Sequence, residues 1–142
     1  MRLWHKDLIP YLPRQQLLGQ WRELCYIAKS IATKGTPNHI LVNKIVDYPP
    51  EHLVKYALEV ATTMVQRGYQ VNIEKFMQYV SLKPSVTFSQ MRDVLDIFPD
   101  WHNDRYFWQC YYNLQEKYDC GGLTDEEWGV VVDSVNVCIK ER

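Results

Sequence analysis

Gly19, Arg22 and Glu23 lie within five residues of one another, in the segment LPRQQLLGQWRELCYIAK. Read as a helix, that segment puts Gly19 one turn before Glu23 on the same face. A glycine inside a helix costs about 1 kcal/mol relative to Ala, and here it would leave open space beside the Glu23 carboxylate where a ligand could approach. The plainer reading has Gly19 admitting a neighbouring helix and Glu23 as an ordinary surface acid. The chemistry on offer is that of a carboxylate in a pocket, alone or with His39 or His102 as an acid–base partner. His39 follows Asn38 near an expected helix start and suits a phosphate donor or a capping residue equally well. The run Trp101, Tyr106, Phe107, Trp108, Tyr111 and Tyr112 offers stacking faces. Its i, i+3 spacing favours packing in a core. His102, Cys110 and Cys120 match no standard zinc spacing, so no metal site is expected.

The elements that would position these residues are helical. Leu17, Trp21, Leu24, Ala28 and Ile31 recur at spacings of four, three, four and three, which predicts a helix over 14–32 opened by Pro13. Arg22 and Glu23 fall off that buried stripe. A short helix is expected over 38–46 and a long one over 50–67, stopped by Gly68. Residues 72–81 read as another short helix. Thr87 with Gln90 resembles a capping box for a helix reaching Ile97. An aromatic-rich helix follows over 101–118, and Thr124 with Glu127 caps a last one running to about residue 140. No alternating strand pair is convincing. The fold class expected is all-α, a single compact multi-helix domain over 1–142.

Composition agrees with a globular chain: 142 residues, 46% hydrophobic and 23% charged, with no apolar run of membrane-spanning length. The N-terminus has no apolar stretch long enough for a signal peptide. A soluble, cytoplasmic and monomeric protein is expected, with its four cysteines reduced. The net charge of −1 hides an asymmetry: residues 1–44 carry +5, residues 45–75 carry −1, and residues 76–142 carry −5. A basic first third could meet a polyanion. Pairing of the two ends within the fold is the slightly favoured alternative.

Several of these residues together resemble the pyrimidine-dimer DNA glycosylase/AP-lyase family, of which the phage endonuclease V is the best-known member. Gln15, Leu17 and the triplet Trp21-Arg22-Glu23 stand at a matching distance from the chain start. Asn38-His39 is followed by a long helix ending in Gln66-Arg67-Gly68-Tyr69, similar to the family's Lys-Arg-Gly-aromatic ending. Met1-Arg2-Leu3-Trp4 is similar to the opening of bacterial members. The resemblance covers about residues 1–73.

The resemblance implies an endonuclease V-like all-α fold and damaged double-stranded DNA as partner, in the nucleoid. It implies no cofactor. The family's nucleophile is an N-terminal α-amine, whose ordinary pKa near 7.7–8.0 leaves a useful neutral fraction at physiological pH. It attacks C1′ of the damaged nucleotide, releases the base through an imine, and β-elimination then cuts the strand. In phage members the initiator Met is removed. Here the bulky Arg2 favours its retention, so the amine expected is that of Met1. Glu23 is the implied assisting carboxylate and Arg22 a phosphate contact. Where the phage enzyme has further arginines this chain has Leu3 and Tyr26; either Arg2 or Lys29 takes their place on DNA, or DNA binding is weaker. His39 is a weaker member of the DNA-binding set. The rival reading is a catalytically altered module on the same fold that binds nucleic acid or protein.

Overall fold

A computed structural model describes residues 1–80 and 96–140. An N-terminal arm (residues 1–5) leads into a 3-10 helix over Lys6–Tyr11. The helices that follow are α1 (Arg14–Lys34), α2 (Pro50–Gln66), α3 (Ile73–Met77), α4 (Asp104–Asp119) and α5 (Asp125–Lys140), with a second 3-10 helix over Asn43–Asp47 between α1 and α2. The described residues contain no strand. The all-α expectation holds.

Each helix follows from its own sequence. In α1 the stripe Leu17, Trp21, Leu24 and Ala28 is buried. Gly35 ends the helix at φ +77°, and its N–H reaches Ile31 O at 2.9 Å. In α2 the expected face, Leu53, Ala57, Val60, Ala61 and Met64, is buried. Gly68 takes φ +86° and donates to Val65 O, while Tyr69 N–H reaches back to Met64 O. That pair of bonds is a Schellman ending, which needs the left-handed residue glycine supplies. Asn103 caps α4 by accepting from Tyr106 N–H at 2.9 Å. The capping box of α5 is reciprocal, Thr124 with Glu127, both bonds 3.1 Å. The run Val130–Val132 stays helical despite β-branching, because Val131 is buried while its two neighbours are exposed.

Three expected boundaries shift. The segment after Pro37 makes a turn before its helix: Asn38 sits at φ +55° and His39 O accepts from both Val42 and Asn43 N–H, so only Asn43–Asp47 winds, as 3-10. The helix expected over 72–81 shortens to Ile73–Met77, started by Asn72 accepting from Lys75 N–H. The aromatic helix starts at Asp104 because Phe98 and Asp100 take positive φ and bend the chain just before it. The Thr87–Gln90 capping box lies outside the described residues.

α1 packs on α2 and α3, α4 packs on α5, and the first 3-10 helix packs on both α2 and α5. The arm is inside this assembly: Leu3 and His5 are both 0% exposed. An ion pair joins the basic first third to the acidic last half at the start of the first 3-10 helix, and a backbone hydrogen bond joins them at the start of α1. Lys6 pairs with Asp96, and the Arg14 backbone N–H donates to Glu127. Arg22 and Lys29, by contrast, stand exposed on α1. Cys25, Cys110, Cys120 and Cys138 form no disulfide among the described residues. Buried Cys110 and exposed Cys120 are ten residues apart along α4 and its cap, about 15 Å of helix rise. One zinc ion cannot span that distance.

Candidate active site

The arm is held by side chains from three helices. From α1, Gln20 accepts from Trp4 N–H at 2.8 Å and donates to Arg2 O at 3.0 Å. From α2, the Tyr56 hydroxyl lies 2.6 Å from Trp4 O and 2.9 Å from Gln20 Oε1. From α4, the Tyr106 hydroxyl donates to Leu3 O at 2.5 Å. Tyr56 is buried and Tyr106 half-buried, and loss of solvent pushes both hydroxyl pKa values far above the ordinary range. They therefore act as fixed neutral donors.

This arrangement delivers Met1 to an open cleft of about 770 Å³. The cleft is bordered by Met1, Arg2 and Trp4 of the arm, by Arg14, Gln15, Gly19, Arg22 and Glu23 of α1, and by Asn113 and Lys117 of α4. Gly19 does what the open-space reading expects. A Cβ added there would meet a guanidinium nitrogen of Arg22 at 3.6 Å, and no neighbouring helix among the described residues approaches within 4 Å. Gln16 also borders the cleft, and its Oε1 is buried with no partner among the described residues.

Glu23 is half-buried, and burial raises its carboxyl above the ordinary range. The N-terminal ammonium, the Arg2 backbone N–H, His39 and Arg22 pull it back, in that order of strength. Gln20 Nε2 adds a donor to Glu23 Oε2 at 3.3 Å. The carboxylate thus faces the amine-bearing end of the chain, with a cation beside it and open space in front.

The other expected site residues are spread around this centre. Arg22 is exposed and borders both the cleft and a shallower groove of about 220 Å³ shared with Tyr26, Lys29 and Lys75. Lys29 lies in that groove and does not border the Glu23 cleft. Arg2 turns inward: its guanidinium sits 5.5 Å from the Trp4 ring centroid and donates to Cys110 Sγ at 3.7 Å. It forms a wall of the cleft. His39 stands behind the rim, where its N–H donates to Asn43 Oδ1 and its Nδ1 accepts from Leu41 N–H. It acts on Glu23 only through charge.

His102 is not in the cleft. It is buried among Phe98, Trp101 and Tyr106, with ring centroids 4.8–5.2 Å away, and accepts from Lys6 N–H on Nδ1. Burial first, then His5 and Lys6, push its pKa down to about 2. The pairing of Glu23 with His102 in one pocket is corrected accordingly. Trp101 and Phe107 are core, Trp108 and Tyr111 are half-buried, and Tyr112 is exposed over Trp108.

Gln20, Tyr56, Asn113 and Lys117 are absent from the residues singled out by sequence. Gln20 left a signal: it is a polar residue between Leu17 and Leu24 on the buried stripe, three before Glu23. The Gln66-Arg67-Gly68-Tyr69 motif also proves structural. Arg67 donates to Leu12 O at 2.7 Å and to Pro10 O at 2.8 Å, and Arg14 lies over the Tyr69 ring at 5.9 Å. The motif buttresses the corner where the 3-10 helix turns into α1.

No curated protein and no solved structure matches the chain. The family described as pyrimidine dimer DNA glycosylase matches residues 1–77. The arm, Glu23, the Gln20 clamp and the Arg67 buttress all fall inside that stretch, and the chain belongs to the pyrimidine dimer DNA glycosylase family.

Proposed function

We propose that this protein is a DNA-repair glycosylase with AP-lyase activity on damaged double-stranded DNA, carrying a pyrimidine dimer or an abasic site. The observation that carries the reading is that Met1 and Glu23 border one cleft, with the Met1 ammonium and the Arg2 N–H both acting on the Glu23 carboxylate.

In this reading the neutral Met1 amine attacks C1′ of the damaged nucleotide. The C1′–N bond to the base breaks and its electron pair leaves with the base; the C1′–O4′ bond then breaks, O4′ takes a proton as the sugar ring opens, and the amine's lone pair forms the C=N bond of a protonated imine. The Glu23 carboxylate stabilises the positive charge that develops on the sugar. It then takes a proton from C2′, and the resulting electron pair expels the 3′ oxygen in β-elimination. Water hydrolyses the imine and frees the amine. Arg22 holds a phosphate at the cleft mouth. Lys29 and Lys75 continue the positive surface along the adjoining groove. Arg2, folded against Trp4, shapes the amine's surroundings, and His39 tunes the field at Glu23. None of these steps calls for a cofactor.

The test is borohydride trapping on a duplex with one abasic site, with wild type beside Glu23→Gln and an N-terminally acetylated sample. A covalent adduct in wild type, lost on acetylation, is the expected result. Absence of both trapping and strand cleavage in wild type overturns the reading and leaves a DNA-binding module on the same fold.

A further inference from the structure

Gln20 is 1% exposed, yet its carboxamide touches both halves of the chemistry. Trp4 N–H can only donate and Arg2 O can only accept, so the amide's orientation is set by its partners. Oε1 faces Trp4 N–H and the Tyr56 hydroxyl, and Nε2 faces Arg2 O and Glu23 Oε2. Both N–H groups and both lone pairs of the side chain are used. Tyr56 has one proton to share between Trp4 O and Gln20 Oε1, so it backs the amide and the arm together.

Met1 is one residue from Arg2 O, and Glu23 is one helical turn from Gln20. A single buried amide thus spans from the amine-bearing arm to the assisting carboxylate. We infer that Gln20 is the positioning residue for this reaction: it holds the Met1 amine and the Glu23 carboxylate in mutual register without touching DNA. This inference rests on the amine-based reading above. It assigns a role that suits an amide, because the end facing Glu23 and Arg2 O must donate twice while the other end accepts from Trp4 N–H and Tyr56.

That demand for donors makes the role testable by pH. Gln20→Glu keeps the shape. At low pH a carboxyl there shares a proton with Glu23 and retains one donor. As pH rises that proton leaves, two carboxylates face each other, and the arm loses its tie. The single-turnover trapping rate of Gln20→Glu relative to wild type is expected to be within about 10-fold at pH 5.5 and about 100-fold down at pH 8, the scale of a 1 Å misplacement. The change should reverse when the same sample is returned to pH 5.5.

Gln20→Met, which cannot donate at any pH, should lose about 100-fold throughout. Its affinity for a duplex carrying a non-cleavable abasic analogue should stay within about twofold of wild type, since Gln20 acts through Met1 and Glu23. A pH-independent rate ratio for Gln20→Glu, or wild-type trapping by Gln20→Met, overturns the inference. If Gln20→Met fails to fold, the reversible pH response of Gln20→Glu decides alone. If wild type itself does not trap, the lyase reading fails separately. The tie is then judged by acylation of the Met1 amine, read by mass spectrometry: faster labelling in Gln20→Glu at pH 8 supports it, and equal labelling overturns it.

Discussion

Arg67→Met separates a structural arginine from a DNA-binding one. Methionine keeps an unbranched stem and removes the guanidinium fork that grips Leu12 O and Pro10 O. Charge-assisted hydrogen bonds contribute about 1.5–3 kcal/mol each when shielded, and less where water can replace the lost partner. The Leu12 bond is part-buried and the Pro10 bond exposed. Their joint loss should therefore cost about 2–3 kcal/mol. For a chain of this size that lowers Tm by about 6–12 °C. Urea unfolding followed by tryptophan fluorescence should show a lower midpoint with an unchanged slope. Salt-dependent DNA binding supplies the contrast. Arg22→Gln should reduce the log–log salt slope by about 0.9, one phosphate contact, and Arg67→Met should leave it alone. A stability loss under about 0.5 kcal/mol, below the range for even one such bond, would refute the buttress. So would a slope change equal to that of Arg22→Gln.

Glu23→Gln should abolish strand cleavage, because the C2′ proton is no longer taken, and yet raise stability at pH 7. Burial lifts the folded carboxyl above its unfolded value, so the ionised group costs stability above its folded pKa, and that cost fades as pH falls into the ordinary glutamate range. Unfolding midpoints of the two proteins should converge near pH 4, and a variant no more stable than wild type at pH 7 would contradict this. Gly19→Ala should stabilise α1 by about 0.5–1 kcal/mol, because the added methyl meets only the mobile end of Arg22 among the described residues. Thermal denaturation checks it, and a lower Tm would sink it. His102 is held neutral in the folded state, with a pKa of about 2, so below about pH 6.5 the unfolded chain binds a proton that the folded chain does not. Stability should then fall by up to about 1.4 kcal/mol per pH unit as pH drops. His102→Gln should flatten that slope between pH 6 and 4; parallel stability curves would show His102 is not its source.

The helices were legible because a helix is a local object. The Leu17–Ile31 stripe, the Gly35 and Gly68 endings and the Thr124–Glu127 box each involve residues three to five apart, so spacing alone reports them. Two of the three misplaced boundaries fall at Asn38 and at Phe98 and Asp100, non-glycine residues at positive φ. Asn and Asp tolerate that region more readily than most residues, but tertiary packing decides which of them adopts it, and nothing in Phe98 announces it. Glu23 and the space beside Gly19 were readable for the same local reason. The Gln66–Tyr69 motif was legible as a pattern but not as a part, because the partners of Arg67 lie more than fifty residues earlier.

By itself, then, the sequence determined the helices, their buried faces, the carboxylate beside a glycine and the family. That the arm runs through the core, that Gln20, Tyr56 and Tyr106 pin it, and that Arg2 turns inward to Trp4 and Cys110 follow from contacts between residues far apart in the chain. The same packing brings Asn113 and Lys117 to the cleft from beyond the family-matched stretch. The physical reason is range. Periodicity says which face of a helix is buried, but the partner that a buried polar group must find is chosen by how those faces come together in space.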